Sequence, residues 1–279
     1  MAPGYGTTNN NNALADGTAH RVSSEEDPLL GKNKQTGLSR RLNKQLKQNV
    51  HKDWADLILL GGYVITGLLD SCSVSVWGSF VSMQTGNTIY LGVGLVDPMG
   101  STRWLRSGIS VAFFCIGSFF FARFHRYFSP KRRWVLIAST LLQMAMIVAA
   151  AIISMYDTTT ELAWQWQVLV PLALVAFQSA GQAVISRAIQ YNALTSVVLT
   201  SIYCDLFSDA KLFAGLTENA ERNRRSAAPL LLLVGAMCGS LFAKSSVGIA
   251  GALWTAVALK ALVCVAWYMW RAEPEADEA

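Results

Sequence analysis

Apolar residues gather along this chain into blocks of helical length instead of alternating with polar ones. Six blocks, at approximately 55–77, 107–127, 134–155, 167–187, 229–246 and 249–270, are each long enough to cross a bilayer. Roughly 20 helical residues cover the hydrocarbon thickness of about 30 Å. Two further blocks, 79–96 and 192–210, are shorter or markedly polar. The first carries Ser79, Ser82, Gln84, Thr85, Gly86, Asn87 and Thr88, and the second Asn192, Thr195, Ser196, Thr200, Ser201, Tyr203 and Asp205. The pattern predicts an all-α polytopic membrane protein. It has about six transmembrane helices plus two short polar segments that are interrupted or re-entrant, eight full helices being the alternative.

Charge separates the two counts. Hydrophobic residues make up 52% of the 279 and charged ones 15%, against about 25% charged in soluble domains, so the charges that remain carry information about orientation. If both polar segments leave the membrane on the face they entered, the basic runs Arg123–Arg133 and Lys211–Arg225 share the face of the N-terminus. The acidic loop Asp157–Glu161 then lies opposite. Lys and Arg concentrate in cytosolic loops, which favours six spans and a cytosolic N-terminus. Three spans per half would orient the halves oppositely. Inverted repeats with helices broken near the midplane are typical of transporters and channels. Similarity between the halves is slight, with Gln84 to Asn87 lying over Leu199 to Ile202 at best.

The termini differ from the membrane region. Residues 1–37 read as a disordered cytosolic tail, rich in Gly, Asn, Ser and Thr without apolar periodicity. The tail holds Glu25 four positions before Leu29 and Leu30. That spacing resembles the acidic dileucine sorting signal, which adaptor complexes read when routing cargo. It points to a vacuolar or endosomal membrane, with the plasma membrane as the alternative. Residues 38–53 read as a basic amphipathic helix on the cytosolic lipid surface, with Leu38, Leu42, Leu46, Val50 and Trp54 at every fourth position. Residues 54–271 form the transmembrane domain and 272–279 a short acidic disordered tail.

Several chemistries lack their residues. The sequence pI near 9.0 reflects loop Lys and Arg and implies no nucleic-acid partner. The five cysteines form no CxxC pair, and the three histidines lie in the tail or at membrane edges, so neither a metal site nor a disulfide framework is expected. Neither a Gly-x-Ser-x-Gly nor a His-Glu-x-x-His motif is present. The expectation is a protein that is not an enzyme and carries no cofactor.

A carboxylate in hydrocarbon is expensive unless it faces protein or water, which makes Asp70 the leading candidate. The grouping Gly67, Leu68, Leu69 and Asp70, followed by Phe80, by Gln84, Thr85, Gly86 and Asn87, and by Leu91 and Gly92, resembles the first signature of the YoaK-type family of uncharacterised membrane proteins (domain of unknown function 1275). A second signature of that family is matched by Phe177, Gln178, Ser179 and Ala180, and by Thr195 to Ser201 followed by Tyr203 and Asp205. Here Ser179 replaces an amide, and Ser201 stands where many relatives have glycine. The resemblance covers roughly 52–271, implies about six transmembrane helices and assigns no activity; the long tail and Ser/Thr-rich second signature look like those of fungal members.

The substrate- or ion-binding candidates are Asp70, Gln84, Thr85 and Asn87, with Gln178, Gln182 and Thr200 as an opposing wall and Asp205 as the counterpart of Asp70 in the second polar block. The alternative for the same polar residues is structural, the hydrogen-bonded closure that a backbone break at membrane depth requires. The leading functional expectation is a transporter or channel for a small solute, with a non-transporting membrane scaffold or sorting protein as the alternative. Small residues at Gly235, Gly239 and Ala243 predict a close-packing helix face. Trp54, Trp104, Trp134, Trp164, Trp166, Trp267 and Trp270 read as an interfacial belt.

Overall fold

A computed structural model of the chain describes residues 37–51, 55–156, 165–191 and 198–273. The sorting motif at Glu25, Leu29 and Leu30, the disordered-tail readings, Trp54, Trp164, the Asp157–Glu161 loop, Thr195 and Ser196 lie outside these residues. Within them every regular element is a helix: α1 (Gly37–Lys47), α2 (Ala55–Val76), α3 (Gln84–Val96), α4 (Arg103–Phe128), α5 (Arg133–Ile153), α6 (Trp166–Ala188), α7 (Leu199–Phe207), α8 (Ala220–Lys244) and α9 (Gly248–Met269). Six of them, α2, α4, α5, α6, α8 and α9, are long and apolar enough to cross a membrane. With 13 and 9 residues, α3 and α7 are too short, since about 20 residues are needed. The count is therefore six spans with two short helices.

The basic N-terminal helix stops at Lys47, earlier than the leucine repeat suggests. Tertiary bonds compete with the helix there. Asn49 and Val50 form isolated bridges to Arg132 and Ala272, and the Val50 N–H donates to the Lys131 carbonyl at 2.9 Å. The Arg133 guanidinium donates to the carbonyls of Gln45 and Trp270. The end of α1, the α4–α5 turn and the end of α9 are thereby tied together on one face of the bundle.

The packing has a simple order. Long, short, long, long describes α2 to α5 and again α6 to α9. α2 packs on α8 as α4 packs on α6, and α5 on α6 as α9 on α2. Likewise α3 lies on α4 as α7 lies on α8, while α5 and α9, the equivalent last helices, pack on each other. Exchanging the halves leaves this set of partners unchanged, which is what a two-fold relation between them requires. The starts of α2 and α8 are joined by the Asp56–Arg224 ion pair at 2.6 Å. Ala55 at the start of α2 shares an apolar cluster with Ile185 and Ile189 at the end of α6. α2 and α6 thus run in opposite directions, and with three spans each the halves are inverted.

Glycine makes the tightest contact possible. A Cβ at Gly235 would overlap the Val64 carbonyl oxygen, and one at Gly239 that of Leu68. Backbone therefore meets backbone along α2 and α8, as small-residue faces allow in lipid. Two apolar clusters fill the interior. One, around Leu68, Trp77, Ile147, Leu172 and Leu253, lies toward the face where α2 ends. The other, around Val50, Tyr63, Leu136, Ile185 and Trp267, lies toward the face where α2 begins. Trp267 is thus a core residue, 1% exposed, not part of an interfacial belt. A tryptophan two turns from Lys260 on the same helix face is drawn inward by the packing of α9 on α5 and α2.

Candidate functional site

α2 ends at Val76, yet the chain does not leave the bundle there. Residues 77–83 fold back beside the last turns of α2, with Trp77, Ser79, Val81 and Ser82 all buried. α3 then returns antiparallel to α4. The segment enters and leaves on one face, so it is re-entrant. Its extended backbone lacks helical partners, and polar side chains supply them. Asp70 Oδ1 accepts from the backbone N–H groups of Val81 and Ser82, both at 2.8 Å, and its Oδ2 from the Ser82 hydroxyl.

Asn87 closes the other side of the loop. Its Oδ1 accepts from Ser79 Oγ at 2.9 Å and from the Phe80 N–H at 3.0 Å. Its Nδ2 donates to the Phe80 carbonyl at 2.7 Å, to Gln84 Oε1 and to Ser110 Oγ. Gln84 Nε2 reaches the Val81 carbonyl at 3.1 Å, while Arg106 and Arg103 from α4 donate to the carbonyls of Trp77 and Gly78. A carboxamide offers two donors and one acceptor oxygen, so Asn87 is saturated by the loop. Three of the signature side chains, Asp70, Gln84 and Asn87, meet here around a backbone break.

Asp70 also borders a cavity of about 170 Å³, shared with Thr66, Ser71, Phe80, Ser82, Met83 and, from α7, Leu199. The tip of the first re-entrant segment and the first residue of α7 therefore face the same space. α7 lies beside α8 and runs back toward the face where α8 starts, the mirror of what α3 does beside α4.

A second polar group lies at the junction of the two apolar clusters. Lys260, 2% exposed, is the 13th of the 22 residues of α9. Its ammonium donates to Gln143 Oε1 at 2.6 Å and to Gln182 Oε1 at 2.9 Å. Gln182 Nε2 donates in turn to the Gly62 carbonyl and to Thr66 Oγ1, both at 2.9 Å. Gln143 Nε2 reaches Ser139 Oγ, which also meets His125 Nε2 at 3.2 Å. The layer joins α9, α5, α6 and α2, with α4 added through His125. Thr66 borders both this layer and the Asp70 cavity, one turn from Asp70 on the same helix face.

The remaining candidates are dispersed. Thr85, Thr200 and Asp205 are exposed. Gln178 is buried but donates to its neighbour Ser179 at 3.0 Å, and Arg187 is exposed near the end of α6. Of the proposed opposing wall only Gln182 reaches the interior network. Sequence reasoning missed Lys260, Gln143 and Thr66. The signal was present: Lys260 is the one charged residue in the 249–270 block, and Gln143 the one carboxamide in 134–155.

Outside the spans, the 208–219 connection is held by Arg222, whose guanidinium donates to the carbonyls of Leu212, Ala214 and Gly215. Asp209 there has its carboxyl held below the usual range, chiefly by the Lys211 backbone N–H, then by Asn219. Among the described residues no three His, Cys, Asp or Glu side chains gather as metal ligands.

No curated protein and no solved structure matches this chain. The family model described as protein of unknown function (DUF1275) matches residues 58–266, from the first turn of α2 to the last of α9. Both polar centres and both short helices fall inside that match, and the chain belongs to the DUF1275 family.

Proposed function

We propose that this membrane protein is a transporter or channel for a small solute, and not an enzyme. One observation carries the reading: Asp70, the tip of the first re-entrant segment and the start of α7 line a single cavity. Broken or re-entrant helices meeting inside inverted repeats are how transporters build binding sites without exposing backbone to lipid. The ends of α1, α4, α6 and α9 share one face with the start of α8. Lys131, Arg132, Arg187, Arg222, Arg224, Arg225 and Arg271 cluster there, so we assign that face and the N-terminus to the cytosol. Residence in a vacuolar or endosomal membrane, through adaptor complexes reading Glu25, Leu29 and Leu30, belongs to the same proposal.

The test uses the full chain in proteoliposomes, followed by light scattering after osmotic challenge with glycerol, urea, sodium formate or sodium chloride. At least one should enter faster than into protein-free vesicles, and Leu199→Trp, which fills the cavity, should abolish the difference. Rates equal to protein-free vesicles for all four, with helicity intact by circular dichroism, would refute it. The scaffold reading is favoured by a separate observation, that Asp70 and Asn87 are bonded to the 77–83 backbone. It predicts no flux with any of the four probes.

A further inference from the structure

We propose that Lys260 and Trp267 form a binding site for a small monovalent anion of the halide, nitrate or formate class. The Lys260 ammonium has three hydrogens, and two go to the neutral oxygens of Gln143 and Gln182. Among the described residues no carboxylate lies within ion-pairing distance of it. Of the acids in the span helices, Asp56 is paired with Arg224, Glu221 with Arg225, and Asp70 is bonded to Val81 and Ser82. A buried ammonium surrounded by neutral groups is costly unless a counter-charge joins it.

A void of about 30 Å³ adjoins the amine, bordered by Gly62, Thr140, Gln143, Gln182, Ser186 and Trp267. One water takes roughly 10–15 Å³ of such space, so the void suits a single small ion or about two to three waters and is too small for a sugar acid. The second observation comes from Trp267. Its indole Nε1 is buried with no hydrogen-bond partner, and Trp267 follows Lys260 by seven residues, on the same face of α9. An indole N–H only donates. A cavity lined by Lys260, whose ammonium has a proton to spare, and by Trp267, whose N–H is unpartnered, suits an acceptor that carries one negative charge. The site belongs to the resting bundle and stands whether or not solute crosses the membrane.

The test uses the purified full chain in detergent at constant ionic strength, with sodium gluconate replaced stepwise by sodium chloride. The thermal midpoint should rise and saturate with chloride. Lys260→Met should lose the chloride dependence while keeping its helicity. In gluconate its midpoint should equal or exceed that of the unsubstituted chain, because the uncompensated charge is gone. Trp267→Phe keeps the amine and the ring, so its half-saturating chloride concentration should rise several-fold. A midpoint of the unsubstituted chain that chloride does not move overturns the site. So does an equal rise in both variants.

Discussion

Two of the buried charged side chains of this protein, the acid Asp70 and the base Lys260, are treated differently. Asp70 receives donors from backbone and side chain together, and those donors belong to a loop that has no other partner at that depth. Lys260 meets only carboxamide oxygens from neighbouring spans. The acid is part of the architecture: remove it and a loop is orphaned. The base holds no backbone: it sits in a thin polar layer between two apolar clusters, and removing it takes a donor from side-chain oxygens, not from a loop. Burial alone thus does not mark a site; what matters is whether backbone depends on the buried charge.

That contrast can be broken by substitution. Asp70→Ala leaves the N–H groups of Val81 and Ser82 unpaired in the interior, at about 1–3 kcal/mol each. We expect a loss of at least roughly 3 kcal/mol in detergent unfolding, with Asp70→Asn milder because one acceptor survives. Asn87→Ala removes the partner of Ser79, of the Phe80 N–H and of the Phe80 carbonyl. Ser110 Oγ, which also donates to that carbonyl at 2.7 Å, retains part of the closure. Its cost should fall near 2 kcal/mol. Lys260→Met should come out near zero or as a small gain, because loss of the uncompensated charge offsets the donor taken from the Gln143 oxygen. Equal losses for Asp70→Ala and Lys260→Met would end the distinction.

The smallest effect lies outside the membrane and calibrates the others. Asp209 has a folded pKa below its unfolded value. Its contribution is therefore present above the unfolded pKa and lost as pH falls through the folded one. Asp209→Asn should lower stability slightly at neutral pH and flatten the fall below about pH 4, where the two chains converge. A difference at pH 7 as large as that of Asn87→Ala would contradict this.

Much of this arrangement is legible in the residues. Six apolar blocks, the break between the 55–77 and 79–96 blocks, the Gly235 and Gly239 face and the singularity of Asp70 all follow from length, polarity and spacing. The relation between halves was visible only as an order of long and short blocks, because packing partners, not side-chain identities, repeat. What stayed hidden has a common cause. At a broken helix the period that assigns faces is lost, so the polar Thr85, Thr200 and Asp205 could not be told from the buried Asn87. Lys260 was hidden differently: its partners come from α5 and α6, 117 and 78 residues away along the chain, and no local pattern announces them.

The clasp of α2 by α8 also bears on how the chain is made. Ser71 in α2 bonds the Ala236 carbonyl of α8 at 2.7 Å, across 165 residues of sequence. α2 is therefore inserted long before the helix that covers its close-packing face has been synthesised, and α4 waits in the same way, more briefly, for α6. During that interval Gly67 and Ser71 of α2 face lipid or whatever insertion factor shields them. Neither half can complete its own interface, so a half expressed alone lacks the partner of its first and second spans. Two halves severed between α5 and α6 and made together have every such partner available, and biogenesis becomes an association reaction between them.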